Sequence, residues 1–370
     1  MKHFFISKSS NRLQRRLVII TLGITLGVGI LFSTVFTSIY RKYLETSLVK
    51  STDTNLRFLS DSIDSNLQSV YQMVRWAQVN EKIGDYVAET DPESYAATAV
   101  IAHNRLTEEY QNSPANTYIQ RMVIGNDTNR FIQVVPSVYS SSINLAEAVP
   151  KEDYFYTQME TKGFHLSTGF IKDPFYFGYS PQVLPVVRPI YAQYNSSQTG
   201  WVYIQISEKL FTTPLHYYSC AEDAGLYLIL GDHQYSLTEK NVTPFDMDFD
   251  IQYEIKNADL SDESHAYMLK NKETGKESII IVRNLSTADC SIVQTLSDME
   301  LQNQYKILVL LWIVIFGLML MIGLLMTYVL HRLIAVPVDR IKHQITEVSQ
   351  GHFAPDTSIE CLPICGYEMS

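Results

Sequence analysis

Two long apolar runs enclose most of the polar sequence of this chain. The first covers residues 17–40 and the second covers residues 307–330, and neither contains a charged side chain. As helices that rise about 1.5 Å per residue, both runs are long enough to cross roughly 30 Å of hydrocarbon. The polar stretch between them, residues 41–306, has room for one or two folded domains. The pattern therefore predicts two membrane spans joined by a large folded loop.

A seven-residue hydrophobic repeat follows the first run directly. Leu56, Ile63, Val70 and Ala77 are spaced by seven, and neither Gly nor Pro occurs between residues 41 and 83. This spacing predicts a long stalk helix over residues 41–83. Two interpretations of the apolar stripe remain open. It pairs with the same helix of a second subunit in a homodimer, or it packs on the folded loop of its own chain, and both can hold for different parts of the helix.

The rest of the loop alternates between helical and β-type segments. A second helix is predicted over residues 93–110, and helix-like sequence returns at 207–218. Runs rich in β-branched and aromatic residues predict strands, separated by turn signals that include Asn195-Ser196-Ser197. The predicted strands are 118–124, 130–135, 183–191, 200–206, 226–230, 234–237, 251–255, 266–270, 278–282 and 290–296. Antiparallel hairpins with helices on one side indicate an α+β fold, divided into units at 84–220 and 221–300.

Basic residues orient the predicted spans. Lys or Arg occupies positions 2, 8, 12, 15 and 16 before the first run, and positions 332, 340 and 342 after the second. The positive-inside rule then places both termini, residues 1–16 and the residues from 331 onward, in the cytoplasm, with residues 41–306 outside the cell membrane. A cleaved signal peptide is the alternative for the first run. That run is longer than a signal core, and no small-x-small cleavage site follows it.

Composition excludes several classes of function. The chain has 29 Lys and Arg against 39 Asp and Glu, a net charge of −10, and no basic patch, so a nucleic-acid partner is not expected. No spacing of His, Cys or Gly matches a metal site or a nucleotide-binding loop, and neither a metal nor a catalytic residue is predicted. Cys220 and Cys290 lie in the loop. They are either a disulfide or two buried thiols.

The order of the predicted elements resembles the double Cache domain of bacterial receptors, a tandem of PAS-like units carried on a long helix. Residues 200–210, GWVYIQISEKL, look like the strand-into-helix step of the membrane-distal unit. Residues 278–282 and 289–296 look like the last two strands of the proximal unit. The resemblance implies an extracellular sensor, with a distal unit at 84–220 and a proximal unit at 221–300, for a small molecule or a solute-binding protein.

The sequence after the second run resembles the first half of a HAMP signalling linker. A proline follows the span, a glycine ends the segment, and the apolar positions between them keep a 3-4-3 spacing: Pro337, Val338, Ile341, Ile345, Val348 and Gly351. Proline suits the first turn of a helix, and glycine suits the position after its end. The resemblance implies a partial HAMP linker at 331–360 in which these residues relay a signal, followed by an atypical tail at 361–370. A generic amphipathic helix is the alternative.

Together these parts resemble the sensory half of the YesM-like sensor histidine kinases. In full-length relatives a kinase domain uses ATP and Mg²⁺ and passes a phosphoryl group to a response regulator. No such domain is recognisable here, so no cofactor is expected in this chain, and the question of enzyme activity stays open. Two alternatives are the same ectodomain with a chemotaxis or cyclic-dinucleotide output, and a membrane-anchored binding protein with no output.

A ligand-binding site is predicted in the distal unit, where aromatic residues surround one Asp and one Arg. The candidate residues are Tyr154, Tyr156, Asp173, Tyr176, Tyr179 and Arg188. Aromatic walls with a few placed polar groups are typical of small-ligand pockets. Arginine and aspartate suit the carboxylate and the amine of an amino acid. An ordinary aromatic core is the alternative.

Overall fold

The computed structural model describes residues 11–135, 143–175, 181–192, 195–221, 223–246, 265–270, 277–296 and 298–349. The chain divides into two compact units. One, here called the apolar unit, combines Met1–Tyr43 with Asn303–Ser370, and the other, here called the α+β unit, is Leu44–Gln302.

The described elements follow one another in this order. The helices are α1 Asn11–Val79, α2 Glu81–Ala88, α3 Pro92–Asn112, α4 Leu145–Ala148, α5 Tyr154–Glu160, α6 Lys209–Thr212, α7 Asp298–Leu330 and α8 Val336–Ser349. Tighter turns occupy Pro114–Thr117, Val149–Lys151 and Thr213–Tyr217, and a π-helical turn occupies His331–Ala335. The strands are β1 Ile119–Asn126, β2 Phe131–Val134, β3 Ile171–Lys172, β4 Gln182–Ala192, β5 Asn195–Ser207, β6 Leu226–Leu230, β7 His233–Leu237, β8 Val242–Pro244, β9 His265–Lys270, β10 Glu277–Asn284 and β11 Cys290–Thr295.

The apolar unit consists of the first part of α1 packed antiparallel on α7. A Cβ on Gly29 would lie 3.3 Å from Met319 Sδ, and the rings of Phe36 and Trp312 meet edge to face at 5.6 Å. Most of the other apolar side chains that the structure describes in this unit are exposed. Two stretches, within Gly23–Val79 and Tyr305–Val338, are long and apolar enough to cross a bilayer by length and composition. They are therefore candidate spans.

The α+β unit contains two antiparallel sheets. The first sheet has the strand order β2-β1-β5-β4-β3, and the second sheet has the order β8-β7-β6-β11-β10-β9. The paired strands in both sheets run antiparallel. The predicted mixed fold of helices and antiparallel sheet is thus confirmed. The chain leaves the first sheet at Ser207 and enters the second at Leu226.

The second part of α1 packs along both sheets of its own chain. Asp53 accepts hydrogen bonds from Arg283 of β10, and Gln78 Nε2 donates to the carbonyl of Pro189 in β4 at 2.8 Å. The apolar stripe predicted from the heptad spacing is fully buried in the core that both sheets share, at Leu56, Ile63, Val70 and Ala77. The interpretation of this stripe as a dimer seam is therefore wrong for these residues, because they pack against the core of the same chain.

Local signals explain where the helices begin and end. The side chain of Asn80 accepts from Lys82 N and Ile83 N, so α2 begins there and the stalk helix stops at Val79 rather than at residue 83. Asp91 caps α3 in the same way, with Pro92 in its first turn. The side-chain oxygens of both caps satisfy main-chain N–H groups that have no partner inside the helix.

Gly84 gives a prediction on stability, because it lies in the interior of α2 with open space around it. A Cβ at this position would have no atom within 4 Å. Gly84→Ala is expected to raise the free energy of unfolding by about 0.5–1 kcal/mol, since alanine restricts the unfolded chain and favours the helix. Thermal denaturation of the purified chain measures the change. A lower midpoint would show that α2 does not have the geometry described here.

Three details differ from the sequence predictions or complete them. The predicted turn at Asn195-Ser196-Ser197 belongs to β5, because the β4–β5 hairpin extends further and its pairing shifts register near Tyr191. Cys220 and Cys290 do not form a disulfide, and Cys290 is buried in β11. The predicted strand at 251–255 and the tail at 361–370 lie outside the described residues.

Candidate functional site

The first sheet has a second apolar face, on the side away from α1. Cross-strand pairs place Val123 opposite Tyr203 and Gly125 opposite Trp201 on this outer face. The ring of Phe155 from α5 meets Trp201 edge to face at 5.7 Å, and Phe175 meets Tyr203 in the same way at 5.8 Å. The outer face therefore carries a wall of buried aromatic rings.

A buried ion pair lies on the same face, two residues along the strands from the pair of Val123 and Tyr203. Arg121 of β1 is opposite Gln205 of β5, and Arg121 Nη2 lies 3.7 Å from Asp173 Oδ2. The side chains of Arg121 and Asp173 are only 2% and 1% exposed. Two opposite charges are thus removed from water together, which protein interiors tolerate only when the charges are paired.

Hydrogen bonds hold Asp173 beside the ion pair. Asp173 Oδ1 accepts from the main-chain N–H of Phe175 at 2.9 Å and from Gln205 Nε2 at 2.7 Å. The same Gln205 amide donates to the hydroxyl of Tyr203 at 3.0 Å. This network, formed by Arg121, Asp173, Tyr203 and Gln205, is here called the polar cluster.

Four buried polar atoms on or beside this face have no hydrogen-bond partner among the residues that the structure describes. They are Arg121 Nη1, Gln205 Oε1, Gln133 Oε1 and Tyr154 Oη, and the last of these lies close to the hydroxyl of Tyr203 without a well-formed hydrogen bond. Buried polar atoms are nearly always paired, and leaving one unpaired costs roughly 1–3 kcal/mol. One charged donor, two amide acceptors and one hydroxyl are therefore available to a ligand or to water.

Burial sets the charge of the site. It raises the pKa of Tyr154, and it raises the pKa of Tyr203 well above the ordinary value for a phenol, so both hydroxyls are neutral at physiological pH. Glu152, beside Tyr154, also has its pKa raised by burial, with a smaller contribution from the charge of Asp153. Arg121 and Asp173 are the charged members of the polar cluster, and their charges cancel.

The structure brings together some of the residues predicted from the sequence. Tyr154 and Asp173 lie at the polar cluster. Tyr156 is 67% exposed beside Phe155. Tyr176 and Tyr179 lie outside the described residues.

Arg188 does not contact the polar cluster through any hydrogen bond among the described residues, and its partners lie elsewhere. Arg188 Nη1 donates to the carbonyls of Gln158 and Thr161, at 3.3 and 2.5 Å, at the end of α5. In the register of the sheet Arg188 lies opposite Val202, which packs in the core with α1. A role of Arg188 in ligand binding stays a prediction.

Sequence reasoning did not identify Arg121, Gln205 or Gln133. Arg121 directly precedes the run MVI of β1, Gln205 lies between two isoleucines of β5, and Gln133 lies between Ile132 and Val134 of β2. A charged side chain inside such a run is unusual, because alternation would place it among apolar neighbours. The charged residue beside an apolar run was therefore a signal that the sequence contained. Its position opposite Gln205 could not be predicted, because it depends on the register of two strands that are distant in sequence.

The predicted relay residues lie in and after α8. Pro337 is the second residue of that helix and directly follows the π-helical turn His331–Ala335. Val338, Ile341 and Ile345 are exposed, and Val348 follows them on the same helix. Gly351 lies outside the described residues. No group of three or more metal-ligating side chains occurs in the described part of the chain.

No protein-family model and no curated protein sequence matches the chain. Several solved sensory domains have a similar fold. The sensory domain of a Campylobacter jejuni chemoreceptor, solved with isoleucine bound, has 12% identity and a TM-score of 0.46, over 70% of this chain and 98% of that one. The sensor domain of the V. cholerae histidine kinase DctB has 10% identity and a TM-score of 0.42, over 68% and 97%. Similarity at this level assigns neither a function nor a ligand to this chain.

Proposed function

We propose that this chain is the sensory part of a transmembrane signal receptor and that it binds a small extracellular ligand on the outer face of the first sheet. The observation that carries the proposal is the set of unpartnered buried atoms beside the polar cluster. An apolar core without a binding role has no need of a buried Arg, an Asp and two glutamines around aromatic rings. Pockets for small ligands combine apolar walls with a few convergent polar groups.

The chemistry of the site favours a small zwitterion such as an amino acid. Arg121 Nη1 is free to donate to a carboxylate oxygen, and Gln205 Oε1 and Gln133 Oε1 are free to accept from an ammonium group. Because the charges of Arg121 and Asp173 cancel, a ligand with a net charge would bring an uncompensated charge into a buried site. The rings of Phe155 and Trp201 offer an apolar wall for a side chain.

We further propose a cell-membrane location with both termini in the cytoplasm, and a histidine-kinase output reached through a HAMP-type linker. Two candidate spans and the basic residues before the first of them support the location. Pro337 in the first turn of α8 and the exposed apolar residues Val338, Ile341 and Ile345 support a linker helix that pairs with a second copy. ATP, Mg²⁺ and a response regulator would be the cofactors and the partner of the kinase domain that this output requires.

A binding screen tests the proposed site, together with a substitution that is expected to weaken binding but not stability. The full chain in detergent is screened by thermal shift against amino acids, the corresponding amines and the corresponding carboxylic acids. An amino acid is expected to stabilise the chain, and its amine and acid analogues are not. Tyr154→Phe is expected to weaken the binding of that amino acid about tenfold, since a hydrogen bond from a hydroxyl contributes roughly 0.5–1.5 kcal/mol. The same variant should change the stability of the ligand-free chain only slightly, because the contact of Tyr154 Oη with the hydroxyl of Tyr203 is not a well-formed hydrogen bond.

Tyr86→Phe is the matched control. The hydroxyl of Tyr86 is paired with that of Tyr95 at 2.7 Å, so its removal is expected to lower stability and leave binding unchanged. If Tyr154→Phe binds the amino acid as tightly as the parent chain, the site is misplaced. Loss of binding in Arg188→Ala alone would move the site to the end of α5. If no probe stabilises the parent chain, the proposal of a small-ligand sensor fails.

A further inference from the structure

The segment that carries Asp173 is held by the second sheet. Residues 163–173, here called the strap, lead from α5 to the polar cluster. The strap turns at Gly169, where φ is +69°. The next residue, Phe170, donates its main-chain N–H to the hydroxyl of Tyr235 in β7 at 2.8 Å. Asp173 follows three residues later.

The contact between the strap and the β6–β7 hairpin is closely packed. The rings of Phe170 and Tyr235 meet edge to face at 5.3 Å. A Cβ on Gly169 would lie 2.4 Å from Tyr235 Oη, and a Cβ on Gly231, in the hairpin turn, would lie 3.2 Å from Ser167. Glycine at both positions lets the two backbones approach, and Gly231 also has a positive φ of +57°. A shift of the strap along the hairpin would break the hydrogen bond or create a clash.

We infer that Tyr235 is a positioning residue for the ligand site and acts through Phe170. By accepting the N–H of Phe170, the tyrosine fixes the strap at a point from which the chain presents Asp173 to Arg121 and Gln205. The strap is thus a physical connection between the polar cluster on the first sheet and strand β7 of the second. A ligand that displaces Asp173 acts on the second sheet through this contact. The inference rests on the proposed function only where it assumes that a ligand binds at the polar cluster; the positioning of Asp173 by Tyr235 does not depend on it.

Amide hydrogen exchange of the full chain in detergent tests the inference without a ligand. The substitution is Tyr235→Phe, which keeps the ring and removes the acceptor. Exchange at Phe170 and at Phe175 is expected to become about three- to tenfold faster, because each N–H depends on one hydrogen bond worth roughly 0.5–1.5 kcal/mol. Phe175 donates to Asp173 and does not touch Tyr235 through any hydrogen bond in the described structure. Its exchange therefore reports the position of Asp173.

Two comparisons separate positioning from general destabilisation. Ile124, within β1, is expected to exchange at the parent rate. Tyr227→Phe, on the neighbouring strand β6 with its ring stacked on Phe245, is expected to leave Phe170 and Phe175 unchanged. The inference is overturned if Tyr235→Phe accelerates Phe170 but not Phe175. It is also overturned if Ile124 accelerates to the same degree, or if Tyr227→Phe has the same effect.

The same samples separate this inference from the proposed function. The Tyr235→Phe variant is expected to bind the amino acid found in the screen about three- to tenfold more weakly than the parent chain, because Asp173 is held less firmly beside Arg121. Unchanged affinity together with faster Phe175 exchange would overturn the role of Tyr235 in the ligand site. A parent chain that binds none of the probes overturns the proposed function, while the exchange at Phe175 still decides whether Tyr235 positions Asp173.

Discussion

Arg121→Met is expected to lower the free energy of unfolding by about 3–5 kcal/mol, because it leaves the buried carboxylate of Asp173 without its cation. Methionine keeps much of the length of the arginine side chain, so the loss of packing is small. Asp173 would retain the hydrogen bonds from Phe175 N and Gln205 Nε2, neither of which carries a charge. Urea denaturation of the full chain in detergent, followed by circular dichroism, measures the change.

The double variant Arg121→Met/Asp173→Asn separates charge balance from packing. It is expected to recover most of the lost stability, because a neutral amide in place of the carboxylate leaves no uncompensated charge. Asp173→Asn alone should be destabilising, since it leaves Arg121 buried without an anion. The double variant should nevertheless fail to bind the amino acid. A single Arg121→Met variant with parental stability would show that the pair is not buried as described.

The local elements of the α+β unit could be predicted well from the sequence. β6 has the predicted bounds, because an apolar run there lies between Gly225 and Gly231. β9 and β10 begin and end within two residues of their predicted bounds. Alternation and turn residues act over a few positions, so a single sequence contains what determines them.

The partner of a hydrophobic stripe was harder to predict. A helix that pairs with a second copy of itself and a helix that packs on a sheet both carry an apolar stripe with nearly the same spacing. The spacing alone therefore does not say which partner covers the stripe. Leu56 and Ile63 pack on the sheets of their own chain, and the distinction depends on contacts with residues more than a hundred positions away. The extent of the β4–β5 hairpin was missed for a related reason, since Asn195 and Ser196 are turn-forming residues that here continue a strand.

The candidate site was predicted only in part. Tyr154 and Asp173 could be named as candidates because they belong to a local cluster of aromatic and charged residues, and their role in binding stays a prediction. Arg121 was missed because its place beside Asp173 depends on the antiparallel register of β1 with β5 and on the path of the strap. Register decides which face of a sheet a side chain occupies, and a shift of one residue reverses it. Arg188 shows the consequence, since its strand position opposite Val202 directs it to the face away from Val187 and Tyr203.

Gly125→Ala is expected to be as damaging as the loss of Arg121, although it adds a single methyl group. A Cβ at Gly125 would lie 2.2 Å from Trp201 Cζ2 and 2.6 Å from two further atoms of the indole ring. β1 is paired on both sides, by β2 and β5, so its backbone has little freedom to move away. The ring is buried and packs against Phe155. A cost of about 3 kcal/mol is expected, at the upper end of what overpacking in a core costs, because the ring and both neighbouring strands leave the methyl group no room.

A double-mutant cycle with Trp201 shows whether the clash with the ring is the cause. Trp201→Phe alone should be destabilising, because it leaves a cavity on the outer face. In the Gly125→Ala background the smaller ring makes room for the new methyl group, so the double variant should be more stable than the sum of the two single changes by about 1 kcal/mol or more. Simple additivity would mean that Trp201 does not lie over Gly125. Gly84→Ala, in open space on α2, is the control that should have the opposite sign. The requirement for glycine at position 125 would then follow from the ring that forms one wall of the proposed ligand site.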